Sequence, residues 1–141
     1  MELMLDKLIG MKFTQDNWIQ QVLEAVPGFQ PIWEEHVDFW DGEPAGITND
    51  MIELAAYANA FIEEFKELEL QVIFDLIESM IVEGTEEVKD AACTGFLESI
   101  LNPITADSPF LELVNRLVGP HSRAYCKAWL EFSGNTLPGF E

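Results

Sequence analysis

Apolar residues recur three and four positions apart through most of the chain, and no stretch alternates with the period of two that a half-buried strand requires. Breakers and caps divide this pattern into helices. Thr14 is placed to cap a first helix that ends before Pro27. Pro31 opens a second, which Gly42 closes, and Thr48 caps a third that runs to about Lys66. A fourth covers about Leu68 to Val82 and stops at Gly84. Thr85 caps a fifth, with Glu86 and Glu87 in the first turn, where the helix dipole favours acids, and Asn102-Pro103 ends it. Ser108 and Pro109 start a sixth, and Gly119-Pro120 separates it from a seventh that ends at Gly134. The first dozen residues allow one more short helix.

This order predicts an all-α fold: a single domain over residues 1–141, with residues 1–12 and 135–141 at its periphery. The expected architecture is a bundle of about six or seven helices whose short connections make successive members antiparallel neighbours. No repeat of fixed period is present, and stacking as helix pairs stays open. The fifth helix shows how a core forms. Ala92, Cys93, Phe96, Leu97, Ile100 and Leu101 share one side, while Gly95 faces another, where it allows a neighbouring helix to come close. Phe96 and, in the seventh helix, Trp129 are predicted core residues.

The second helix carries the segment WEEHVDFWDGE, residues 33–43. On a helical wheel Ile32, Trp33, His36, Val37, Phe39 and Trp40 fill one arc of about 160°. Glu34, Glu35, Asp38 and Asp41 fill an opposite arc of about 120°. His36 therefore points with the apolar residues and away from the acids. That arrangement favours a buried, hydrogen-bonded histidine over a metal ligand. The seventh helix repeats the pattern, with His121, Tyr125, Ala128, Trp129 and Phe132 on one arc and Arg123, Lys127 and Glu131 on another. Both histidines are expected to be buried and neither to bind a metal.

Charge changes the picture more than composition does. The chain holds 26 Asp and Glu against 7 Lys and Arg, a formal net charge of −19. Between Phe13 and Phe65 no Lys or Arg occurs, while acids run throughout, so one side of the molecule is expected to be strongly anionic. Such a field repels nucleic acid and anionic membranes and draws in basic partners. Glu34, Glu35, Asp38, Asp41 and Glu43, with Asp50 and Glu53 following on the next turn and helix, form the candidate partner-binding set.

Candidate chemistry adds little to this. His36, His121, Cys93 and Cys126 are never paired at zinc-finger spacing, and no HExxH, EF-hand loop, phosphate-binding Gly-rich loop or G-x-S-x-G elbow is present. Both cysteines lie beside apolar helix faces, which predicts buried structural thiols rather than activated thiolates. The reading is a non-enzymatic protein without cofactor or metal. The absence of a secretory pattern, of a long apolar run and of a disulfide framework places it in the cytoplasm.

Three segments taken together carry a resemblance: VLEAVPGFQPIWEEH (22–36), EEVKDAACTGFLESILN (86–102) and LVGPHSRAYCKAWLEFSG (117–134). They resemble a family of small all-helical domains of unknown function, similar to the immunity proteins of bacterial polymorphic toxin systems. The resemblance covers about residues 15 to 134 and supplies no catalytic motif. The open linker DGEPAGITND (41–50) departs from it. The resemblance implies a cytoplasmic inhibitor that binds a cognate secreted toxin, a partner that the acidic surface suits when the toxin is basic. Two alternatives stand beside it: a nucleic-acid mimic that blocks a DNA-binding or defence protein, and an acidic protein-interaction adaptor.

Overall fold

The structure, a computed structural model, describes residues 11–141. The fold is all-α. Its helices are α1 (Trp18–Ala25), α2 (Gln30–Phe39), α3 (Ile47–Glu63) and α4 (Glu67–Glu83). Next comes α5, a continuous run of Glu86–Ala91, a π-helical segment Ala92–Leu97 and Glu98–Leu101. Last are α6 (Leu111–Leu117) and α7 (Pro120–Phe132). A 3-10 turn, Pro27–Phe29, leads into α2, so Pro27 opens a tighter turn instead of only ending α1. Among the described residues the one β feature is an isolated parallel bridge between Phe13 and Gly84. The short helix expected within the first dozen residues falls mainly outside the described part of the chain.

The seven helices predicted between Thr14 and Gly134 are present, but local chemistry moves several boundaries. α1 starts at Trp18, not after Thr14, because Asn17 Oδ1 accepts the Thr14 N–H at 2.8 Å and holds residues 14–17 in a turn. α3 starts at Ile47, ahead of Thr48, because Gly46 takes the capping position at φ 92°, where a side chain would be strained. It stops at Glu63, short of Lys66. There the Lys66 N–H donates to the Phe61 carbonyl and Phe65 turns left-handed at φ 55°, a Schellman closure. α6 starts only at Leu111, since the Ser108 hydroxyl accepts the Phe110 N–H and spends three residues on a turn. Thr85 holds the N-cap position of α5, yet its hydroxyl makes no capping bond.

α5 is the centre of the core, with α3, α4 and α7 packed around it. The predicted face is buried, but so are Ala91 and Gly95, and Thr94 is the one exposed residue between Ala91 and Leu97. Three surrounding helices and the wider π turn leave this segment almost no outward side. Gly95 lies where α3 crosses. A Cβ there would sit 2.7 Å from Met51 Cβ and 2.7 Å from the Thr48 carbonyl oxygen. Gly95→Ala is expected to cost about 1–3 kcal/mol, the range for overpacking a close-packed site. A denaturant midpoint unchanged from wild type would show that α3 shifts freely.

The seventh helix corrects the wheel. Its buried residues are Ser122, Cys126 and Leu130, and the predicted apolar arc is rotated away. The His121 side chain is 61% exposed, Phe132 is 90% exposed, and Trp129 packs against the core only in part. A carboxylate on α4 sets this rotation. Glu78 Oε1 accepts the Ser122 N–H and hydroxyl, both at 2.9 Å, while Oε2 accepts the His121 N–H at 3.0 Å and lies 2.7 Å from His121 Nδ1. Glu78 thus caps α7 from another helix, where charge and helix dipole agree. Gly119 leaves room for it, since a Cβ there would be 2.5 Å from the Glu78 carboxyl carbon. On the flank, Arg123 donates to Asn115 and to the Gly139 carbonyl and lies over the Phe140 ring. In the segment after α7, Leu137 and Phe140 are buried and reach the core, while the residues around them are exposed.

Burial alone would push the Glu78 carboxyl up, but the backbone and side-chain donors of Ser122 and His121 outweigh it and hold the group below its ordinary value. A depressed folded value means the cap's stabilisation is complete above the unfolded carboxylate pKa. It is lost as pH falls through the folded value. Glu78→Gln is therefore expected to cost about 1.5–3 kcal/mol at pH 7, the range for hydrogen bonds to a charged group. The gap between variant and wild type should close as pH drops below about 4. Urea melts of both proteins across that range measure it.

Candidate docking surface

α2 is the outermost helix, packed chiefly on α3 and on the 3-10 turn before it. Its sequence places aromatic rings three and four residues apart, and the fold turns them into a row that runs from the core outward. Buried Trp18 meets Trp33 edge-on at 6.1 Å, and Trp33 lies 5.6 Å from His36. His36 lies 6.5 Å from Trp40, and Trp40 meets Phe39 edge-on at 6.0 Å. His36 is buried as predicted. Its Nε2 lies 2.7 Å from Asp50 Oδ1 and its Nδ1 3.6 Å from Glu53 Oε1, which ties α2 to the first turns of α3. Burial pushes the Asp50 carboxyl above its ordinary value, more than its bond and charge interaction with His36 pull it down.

The outer end of this row is exposed, contrary to an apolar arc that faces inward throughout. Phe39 is 81% exposed, Val37 and Ile52 nearly half, and Trp40 36%. The reason is geometric. α2 packs on α3, on the turn before it and, at Trp33, on Trp18 of α1, all toward its start and middle, and Phe39 in its last turn is left 81% exposed. The width of the apolar arc was the available signal, because a ten-residue helix packed on one side buries less than 160° of its surface.

The seven candidate acids are not equivalent. Glu34, Asp38 and Asp41 are exposed on the outward side of α2 and its C-terminal turn, where Asp41 is left-handed at φ 50° and Gly42 follows at φ 81°. Glu34 accepts a bond from Gln30. Glu35 and Glu53 line a groove of ≈ 450 Å³ with Phe39, Trp40 and Ile52, and His36 forms its inner wall. Glu43 lines a second groove of ≈ 270 Å³ on the other side of Trp40, with Pro44 and Asp50. Asp50 is largely enclosed and committed to His36. Glu34, Glu35, Asp38, Asp41 and Glu43 form no ion pair among the described residues. These five acids are thus not neutralised within the described residues, and an aromatic pair stands among them.

Elsewhere the chemistry is quiet. Both cysteines are free and buried; burial pushes the Cys93 thiol up to about 11 and the Cys126 thiol up to about 12, so both stay protonated at neutral pH. Among the described residues no group of three His, Cys, Asp or Glu side chains is placed to hold a metal ion, and no helix is long and apolar enough to cross a membrane.

A family model described as a domain of unknown function (DUF7674) matches residues 19–134, and the chain belongs to that family. No curated protein and no solved structure matches it. The matched region runs from the second residue of α1 through α7, with the aromatic row from Trp33 outward and the candidate acids inside it.

Proposed function

We propose that the protein binds a basic partner protein through the overhanging end of α2, and that it acts as an immunity protein that neutralises a cognate secreted toxin. One observation carries this reading: Phe39 and Trp40 stand exposed, anchored to the core through His36 and Trp33, among acids of a stretch, Phe13 to Phe65, that holds no Lys or Arg. Exposed aromatics held in place are the side chains that concentrate binding energy at interfaces. The surrounding carboxylates steer a basic partner toward them and raise the association rate. A nucleic-acid mimic would need its carboxylates alone, spaced as phosphates; here Asp50 is withdrawn to His36 and an aromatic pair interrupts the acids.

A secreted protein with a toxic domain is expected to be encoded next to this chain, and the test expresses that domain in a cell with and without the chain. Protection is expected. Changing Glu34, Asp38 and Asp41 together to Lys should leave the helical content intact, slow association severalfold at low salt and weaken protection. The rate difference should shrink as salt rises, because the screening length falls from about 10 Å at 0.1 M to about 3 Å at 1 M. A triple variant that folds, associates as fast as wild type and still protects would make these acids a merely solvated face.

A further inference from the structure

We infer that the groove between α2 and the first two turns of α3 receives the side chain of an arginine presented by the partner protein. This deepens the docking surface proposed above and rests on it. Phe39, Trp40 and Ile52 form apolar walls, and Glu35 from α2 and Glu53 from α3 bring a carboxylate from each side. The groove therefore offers two things at once, aromatic surface and paired acceptors, to whatever enters it. A guanidinium uses both. It is planar and weakly hydrated, it stacks on aromatic rings, and its five donors reach acceptors on two sides. A lysine ammonium brings a strongly hydrated point charge and forgoes the stacking, and an apolar side chain would leave Glu35 facing it without a partner and Glu53 with only His36 at 3.6 Å.

Among the described residues no Lys or Arg pairs with Glu35 or Glu53. No Lys or Arg lies between Phe13 and Phe65, and Glu35 has no bonding partner among the described residues. His36, the one basic group in the wall, is buried, and its Nε2 is taken by Asp50. That pairing fixes the rotation of α2 on α3 and so keeps Glu35 and Glu53 apart across the groove. The site exists before any partner arrives, which lowers the ordering cost of binding.

A blocked Gly-Arg-Gly peptide is the probe, titrated into the labelled protein while the indole N–H signal of Trp40 is followed by NMR. Matched peptides carry lysine or citrulline, the neutral isostere of arginine, in place of arginine. Saturable, millimolar binding of the arginine peptide at Trp40 is expected, with weaker binding of lysine and none of citrulline. Glu35→Gln should weaken the arginine peptide about two- to fivefold, the effect of one exposed ion pair, without changing the melting temperature. Equal shifts with citrulline would reduce the groove to an apolar surface. Equal binding of lysine would reduce it to general charge attraction, and an unmoved Trp40 signal or an unaffected Glu35→Gln would remove the site. The peptide assay needs no toxin, so the two readings fail separately. Arginine binding without protection overturns the toxin reading alone, and protection without arginine binding overturns this groove alone.

Discussion

Phe39→Ala should leave the unfolding free energy within about 0.5 kcal/mol of wild type, as exposed substitutions do, and should weaken partner binding by about 30-fold or more. The second figure is the 2 kcal/mol that marks an interface hot spot, converted to a ratio. The two halves belong together. Phe39 is 81% exposed, so the folded monomer gains little from it, and what it contributes must appear in the complex. Trp40→Ala should act in the same direction on binding but carry a larger stability cost, because the inner edge of Trp40 packs against His36. Unfolding curves and titration of each variant with the toxic domain separate these effects. A Phe39→Ala protein that binds as wild type would leave the exposed ring without a role at α2 and move the search to Phe132, the most exposed aromatic among the described residues.

Phe96→Ala is expected to be the most damaging single change to the fold, at about 3–5 kcal/mol. Phe96 is completely enclosed at the middle of α5, meets Phe74 of α4 edge-on at 5.4 Å, and lies in the segment around which three other helices pack. Removing it opens a cavity that no single helix can close without disturbing the others. A domain has only about 5–15 kcal/mol in hand, so this variant should unfold at far lower denaturant than wild type. Trp129→Ala should cost clearly less, since Trp129 packs against the core only in part. Parallel guanidinium melts test the ranking; equal losses would mean that Trp129 closes the core as completely as Phe96 does.

Those two residues mark how far the sequence reaches. The all-α class, the number of helices and the burial of Phe96 follow from periodicity and from Gly and Pro positions, because a helix long enough to be enclosed on several sides buries its apolar residues whichever way it is turned. Gly95 was legible for a related reason: a glycine inside a strong helix, beside large apolar neighbours, has value only where another backbone approaches. The acidic, cation-free stretch is likewise a property of composition, and no folding can supply a Lys or Arg that it lacks.

Rotation of the short helices was a different matter. A wheel ranks faces by hydrophobicity, but α2 and α7 each touch few neighbours, and one polar contact from another helix outweighs a modest apolar preference. Glu78 takes the first N–H groups of α7 and turns Ser122 and Cys126 inward, leaving His121 and Phe132 in solvent. Asp50 takes His36 and leaves Phe39 overhanging. Both carboxylates lie far along the chain from the residues they hold, 43 positions for Glu78 with His121 and 14 for Asp50 with His36. Helical periodicity extends over a few residues and carries no record of such partners. Which residues lie on α2 was therefore determined by sequence, and which of them stay exposed was decided only when the tertiary structure joined charges distant in the chain.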